Sequence, residues 1–115
     1  MATTLSNFST ALQIGAVATS VVTSVNGEKK YIGQLTLTNT AVTAVEVHLY
    51  KIDDSETETS GSGGNWLIKR TVQPSKTWNV MGDIGNLVLA GAQKLTVVAG
   101  TADVINAECS GTVES

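Results

Sequence analysis

At 115 residues and 11.9 kDa the chain has the size of one domain, long enough to bury a continuous core and too short to divide into two. Its 42% hydrophobic and 15% charged residues exclude a disordered chain, which would be poor in apolar residues and rich in charge. The net charge of -3, with seven Lys and Arg scattered along the sequence, offers no basic stripe for nucleic acid, and no apolar run approaches the roughly 20 residues that span a bilayer as a helix.

Taken in chain order, residues 1–12 are polar with isolated apolar positions, and they read as an extended arm in which Leu5, Phe8 and Leu12 can anchor in a groove of a neighbouring protein. Deleting this arm is expected to leave a folded domain that no longer assembles. The start lacks a basic n-region and is interrupted by Thr, Ser, Asn and Gln, so it reads as mature protein and not as a signal peptide. Thr10 to Ala18 has room for a turn of helix. Val17 to Val25 reads as a strand closed by the Asn26-Gly27 turn signal.

Lys30 to Asn39 alternates with a period of two, which predicts Tyr31, Gly33, Leu35 and Leu37 on one face and Gln34, Thr36 and Thr38 on the other. Thr43 to Ile52 repeats the pattern with Val45, Val47 and Leu49 inward and Glu46, His48 and Tyr50 outward. The short Asn39–Val42 connection predicts that these two strands pair as a hairpin. Residues 53–65 (DDSETETSGSGGN) contain no apolar side chain and read as a mobile, exposed loop. Trp66 to Val72 reads as the next strand, stopped by Pro74, which cannot donate to a ladder. Shorter strands follow at Lys76 to Val80, Asn86 to Leu89, Lys94 to Ala99 and Val104 to Val113, punctuated by Gly82, Gly85, Gly91 and Gly100. The fold class expected is all-β: one antiparallel β-sandwich over residues 1–115, jelly-roll or immunoglobulin-like, with about seven or eight strands.

Chemistry-bearing residues are sparse. Cys109 is the sole cysteine, so no internal disulfide and no Cys-based metal site is expected. The sole histidine, His48, falls on the expected solvent face. Asp53, Asp54, Glu56 and Glu58 lie in a Ser/Gly-rich segment, where a glycosidase's fixed carboxylate separation cannot be held and the ligand spacing of a calcium loop is missing. Gly61, Gly63 and Gly64 are not followed by the Lys-Ser/Thr pair of a phosphate loop. Neither a cofactor nor a metal is expected. Trp66 and Trp78 flank the Pro74 turn, and if they met across a hairpin they would offer a platform for a sugar face.

Several stretches resemble the small β-sandwich virion proteins of tailed bacteriophages. Lys30-Tyr31-Ile32-Gly33-Gln34-Leu35-Thr36-Leu37-Thr38-Asn39-Thr40 is similar to a strand of that group closing in an Asn turn, and Val45-Glu46-Val47-His48-Leu49-Tyr50 to its Val-rich partner. Val88-Leu89-Ala90-Gly91-Ala92-Gln93-Lys94-Leu95-Thr96-Val97 resembles the group's LxAGDxL turn, with Ala92 in place of the usual Asp. Residues 104–111 (VINAECSG) resemble its closing strand. The resemblance covers residues 17–113 and implies a non-enzymatic virion component made in the host cytoplasm. In that group such a chain is a capsid decoration or cement protein contacting the major capsid protein or other virion proteins. It also implies a homo-oligomer with closed symmetry, a trimer on family grounds. The alternative is a module that binds host-surface carbohydrate through Trp66 and Trp78, or a tail or fibre accessory subunit.

Overall fold

Runs of alternating Val, Ile, Leu and Thr suit a pleated, half-buried surface, and in the computed structural model, which describes residues 3–58 and 65–115, they form nine strands and one short helix. These are β1 (Thr3–Ile14), β2 (Thr19–Thr23), β3 (Lys29–Asn39), β4 (Val45–Asp53), β5 (Ile68–Val72), β6 (Thr77–Asn79), α1 (Val80–Ile84), β7 (Val88–Ala90), β8 (Gln93–Ala99) and β9 (Ile105–Glu114). Two antiparallel sheets face each other. The first runs β1-β9-β3-β6 with β7 also paired to β3, and the second runs β2-β8-β4-β5. Leu35, Leu37, Ile105, Ala107 and Cys109 from the first sheet meet Val45, Val47, Leu49, Leu95 and Val97 from the second, all nearly inaccessible to water. The all-β sandwich expected from periodicity is therefore the fold.

Several local expectations differ. Residues 3–12, expected as an arm, belong to β1, whose last residue Ile14 sits in the core and which is also expected territory for the helical turn at 10–18. An uncharged segment next to an open edge of β9 gains backbone hydrogen bonds by joining the sheet. Strands β3 and β4 do not pair as a hairpin: β3 bonds to β6, β7 and β9, whereas β4 bonds to β5 and β8. The cause is Asn39, which is buried at the end of β3 and ties that strand across the sandwich. Its Nδ2 donates to Thr43 O and Val72 O, both at 2.9 Å, while its Oδ1 accepts from Ala41 N at 2.8 Å. An Asx-type turn of this kind sends the chain into the opposite sheet.

The alternation in β3 also breaks. A register shift between Ile32 and Gln34 makes Gly33 an extra residue, so Ile32, not Tyr31, points inward with Leu35 and Leu37. A similar shift between Ser20 and Val22 buries both Val21 and Val22. Tyr50, expected in solvent, is 1% exposed: it alternates with the core residue Leu49 and so lies on the outer side of the second sheet, stacked by His48 at 6.4 Å. Helix α1 was not foreseen because five residues are too few to show a 3.6-residue period; it ends at Gly85, whose φ of 86° lies in the left-handed region.

Candidate assembly surfaces

The two tryptophans are not brought together. Strands β5 and β6 belong to different sheets, and Trp78 is 5% exposed with its ring among core residues. Its Nε1 donates to Asp83 Oδ2 at 2.7 Å, and Arg70 Nη1 bonds the same oxygen at 2.5 Å while its guanidinium lies 5.7 Å from the Trp78 ring. This arrangement clamps β5, β6 and α1 together at one edge of the sandwich, and it leaves neither face of Trp78 for a sugar. Trp66 precedes β5 on the outer side of the second sheet, its ring met edge-on by His48 at 6.2 Å and covered by Lys69 Nζ at 5.3 Å. One ring held in this way is not a platform of two.

The Trp78 hydrogen bond is the main cause that holds the Asp83 carboxyl below its ordinary value of 3.8; partial burial opposes it, and the bond and charge of Arg70 add to it. A carboxyl whose pKa is depressed on folding stabilises the fold above its unfolded value, and that stabilisation is lost as pH falls through the folded value. Melting temperatures of the parent and of Asp83→Asn are therefore expected to differ at neutral pH and to converge in acid below 3.8. A constant gap across that range would show that the clamp does not depend on the charge of Asp83.

Of the three anchors expected near the N-terminus, Phe8 and Leu12 are spent on the fold, packing against the core, with Lys30 Nζ 5.5 Å from the Phe8 ring. Only Leu5 projects, 83% exposed. It lies on the outer face of the first sheet in one cross-strand row with Thr112, Tyr31 and Val88. Beside it, Gly33 and Gly111 have no side chains to fill the surface, and a shallow depression of about 500 Å³ opens between Leu5, Asn7 and Ser110.

Cys109 is buried in the core, where desolvation pushes its thiol up to about 12, so it stays protonated and unreactive in the folded chain. His48 lies 3.8 Å from Glu46. Among the described residues no group of three or more His, Cys, Asp or Glu is placed to hold a metal ion. The expected mobile loop at 53–65 begins inside β4 at Asp53. Its glycines at 61, 63 and 64 lie outside the described residues.

The two ends of the sandwich differ sharply in chemistry. One end gathers the loops 15–18 (GAVA), 40–44 (TAVTA), 73–76 (QPSK) and 100–104 (GTADV). Backbone bonds knit them together: Asp103 N to Ile14 O, Ala99 N to Gly15 O, Thr40 N to Val104 O and Ser75 N to Asn39 O. Lys76 and Asp103 are the only ionisable residues in these four loops, and at their tips Val17 is 78% and Val42 93% exposed. Glu28, Asp53, Asp54, Glu56 and Glu114 collect at the opposite end, interspersed with Lys29, Lys30 and Lys94. Exposed Val25 sits beside Glu28 in that group. Turn sequences normally favour Gly, Asn, Asp and Ser, so loops written GAVA and TAVTA carry a signal that hydrophobic periodicity passes over, since neither is part of a strand.

No protein-family model matches this chain, and no curated protein or solved structure matches it.

Proposed function

We propose that the protein is a non-enzymatic structural component of a virion, a decoration or cement protein that seats on the capsid through its nearly charge-free loop end and reinforces it by protein–protein contact. The observation that carries this reading is the exposure of Val17 and Val42 on a cluster of cross-bonded, nearly charge-free loops. Interface centres are depleted in charge and contiguous exposed apolar surface marks contact sites. Backbone bonds between these loops hold the patch in shape before any partner arrives, which lowers the ordering cost of binding. The opposite end, with its excess of carboxylates, then faces solvent, where like charge keeps neighbouring copies from sticking end to end. The capsid as the partner comes from the sequence resemblance set out above.

The test is co-sedimentation of the purified protein with phage particles that lack it. Burying a valine is worth about 1.5–3 kcal/mol, and each 1.4 kcal/mol is a tenfold change in affinity. The double variant Val17→Asp, Val42→Asp is therefore expected to bind at least about a hundredfold more weakly while keeping its melting temperature, because both side chains are exposed in the free protein. Undiminished binding by this variant, or particles that never retain the parent protein, would sink the proposal.

A further inference from the structure

A sheet ends in a row of unpaired N–H and C=O groups, and proteins blunt such edges by shortness, charge, proline, bulges or cover. Among the described residues the sandwich has four edges, and three of them are blunted. Strands β6 and β7 have three residues each, β5 carries Lys69 and Arg70 and runs into Pro74, and β2 is bulged and has Val21 O bonded by the Ser9 hydroxyl of β1. The fourth edge, β1, divides in two. Its second half is interrupted by register shifts after Asn7 and after Ser9, with Ala11 at a φ of 49°. Its first half, Thr3 to Asn7, runs in unbroken register against Glu114 to Ser110 of β9 and has no bulge, no proline and no charge. Leu5 stands at the middle of this open segment.

We infer that Thr3–Asn7 pairs antiparallel with the same segment of a second copy, about a two-fold axis through Leu5. Water satisfies the groups of an open edge one by one, but only another extended chain matches them along their whole length, and a two-fold axis serves both copies equally with one surface. Charge decides that the partner can be a second copy. Each chain has a net charge of -3, yet no ionisable side chain occurs anywhere in β1, so two copies approach here without repulsion. With Leu5 opposite its own copy, Thr3 lies opposite Asn7. The Glu114 beside each Thr3 is then carried away from its counterpart by four residues of strand, roughly 13 Å, which exceeds the screening length of about 8 Å at physiological salt. The row Leu5, Thr112, Tyr31 and Val88 becomes continuous across the axis, and the two first sheets merge into one. A contact of five residues a side is smaller than a standard interface, so the pair forms and dissociates with concentration. This surface is separate from the loop end that carries Val17 and Val42, and either assignment can fail without the other.

The test is the solution mass of the full chain over a concentration series, by sedimentation equilibrium, together with oxidative crosslinking. The parent is expected to move from monomer towards dimer as concentration rises, and Leu5→Lys, at an exposed position that costs the fold little, to remain monomeric with an unchanged melting temperature. Opposed residues of an antiparallel pair have Cα atoms about 4.5–5.5 Å apart, within reach of a disulfide. Leu5→Cys is therefore expected to crosslink into dimers under mild oxidation, whereas Thr3→Cys, which faces Asn7 of the copy, is not; Cys109 is buried and does not compete. A monomer at every concentration, a trimer, an unchanged mass for Leu5→Lys, or equal crosslinking at positions 3 and 5 would overturn the two-fold pairing.

Discussion

Replacing Gly111 with alanine is expected to destabilise the protein by about 3 kcal/mol or more, at the upper end of the range for overpacking. A Cβ at this position would lie 1.9 Å from Tyr31 O, 2.9 Å from Gly33 N and 3.0 Å from Tyr31 C. All three are backbone atoms of the neighbouring strand, so no side chain can swing aside, and relief requires β3 and β9 to separate at their bulge. In a domain of this size the change corresponds to a fall in melting temperature of roughly 10 °C or more. Gly33→Ala supplies the contrast. It sits in the same bulge, but its nearest contact would be an ordinary 3.7 Å from Gly111 Cα, and the melting temperature is expected to move little. If the two alanine variants melt alike, β3 and β9 do not approach each other as closely as described.

Asn39 carries the second large effect. Its side chain is fully buried and serves three backbone groups, one of them Val72 O at the end of β5 in the opposite sheet. Asn39→Ala would leave Thr43 O, Val72 O and Ala41 N without their bonds. Each buried polar group left unsatisfied costs about 1–3 kcal/mol, and a loss of about 3 kcal/mol in urea unfolding is expected where solvent cannot reach them all. Asn39→Asp separates the donor role from size. An ionised carboxylate keeps the bond from Ala41 N but cannot donate to the two carbonyls, and burial against their oxygens raises its pKa above the ordinary value of about 3.9. A raised carboxyl pKa costs stability above the unfolded value and returns it as pH falls, so this variant should be weakest at neutral pH and recover towards about pH 4. The same deficit at both pH values would mean that the amide acts by shape alone.

The resemblance noted around Thr38-Asn39-Thr40 thus has a physical content in this chain. Periodicity shows a strand ending at Asn39, and residue type shows that it turns there. Neither shows where the turn leads, because the third partner of Asn39 is Val72, far along the sequence. Chain proximity suggested a hairpin between β3 and β4, and one amide directs them into separate sheets instead. The same limit explains the tryptophans. Spacing placed Trp66 and Trp78 on either side of one turn, and the crossing of β6 into the first sheet buried one of them.

What the sequence determined by itself was the all-β class, most of the strand positions and the inward sets Leu35 and Leu37 and Val45, Val47 and Leu49, because a period of two and β-branched content are local properties of a pleated chain. Only the tertiary structure decided which strands are neighbours, that residues 3–14 complete a sheet, and that Phe8 and Leu12 turn inward while Leu5 stays out. It alone gathered four loops from distant parts of the chain into one end that carries only Lys76 and Asp103 as ionisable residues. Those outcomes depend on bulges of one residue, at Gly33 and at Val21, one buried amide and the closing of contacts between residues far apart in sequence. A one-residue shift of register at Gly33 exchanges the faces of Tyr31 and Ile32 without leaving any trace in composition.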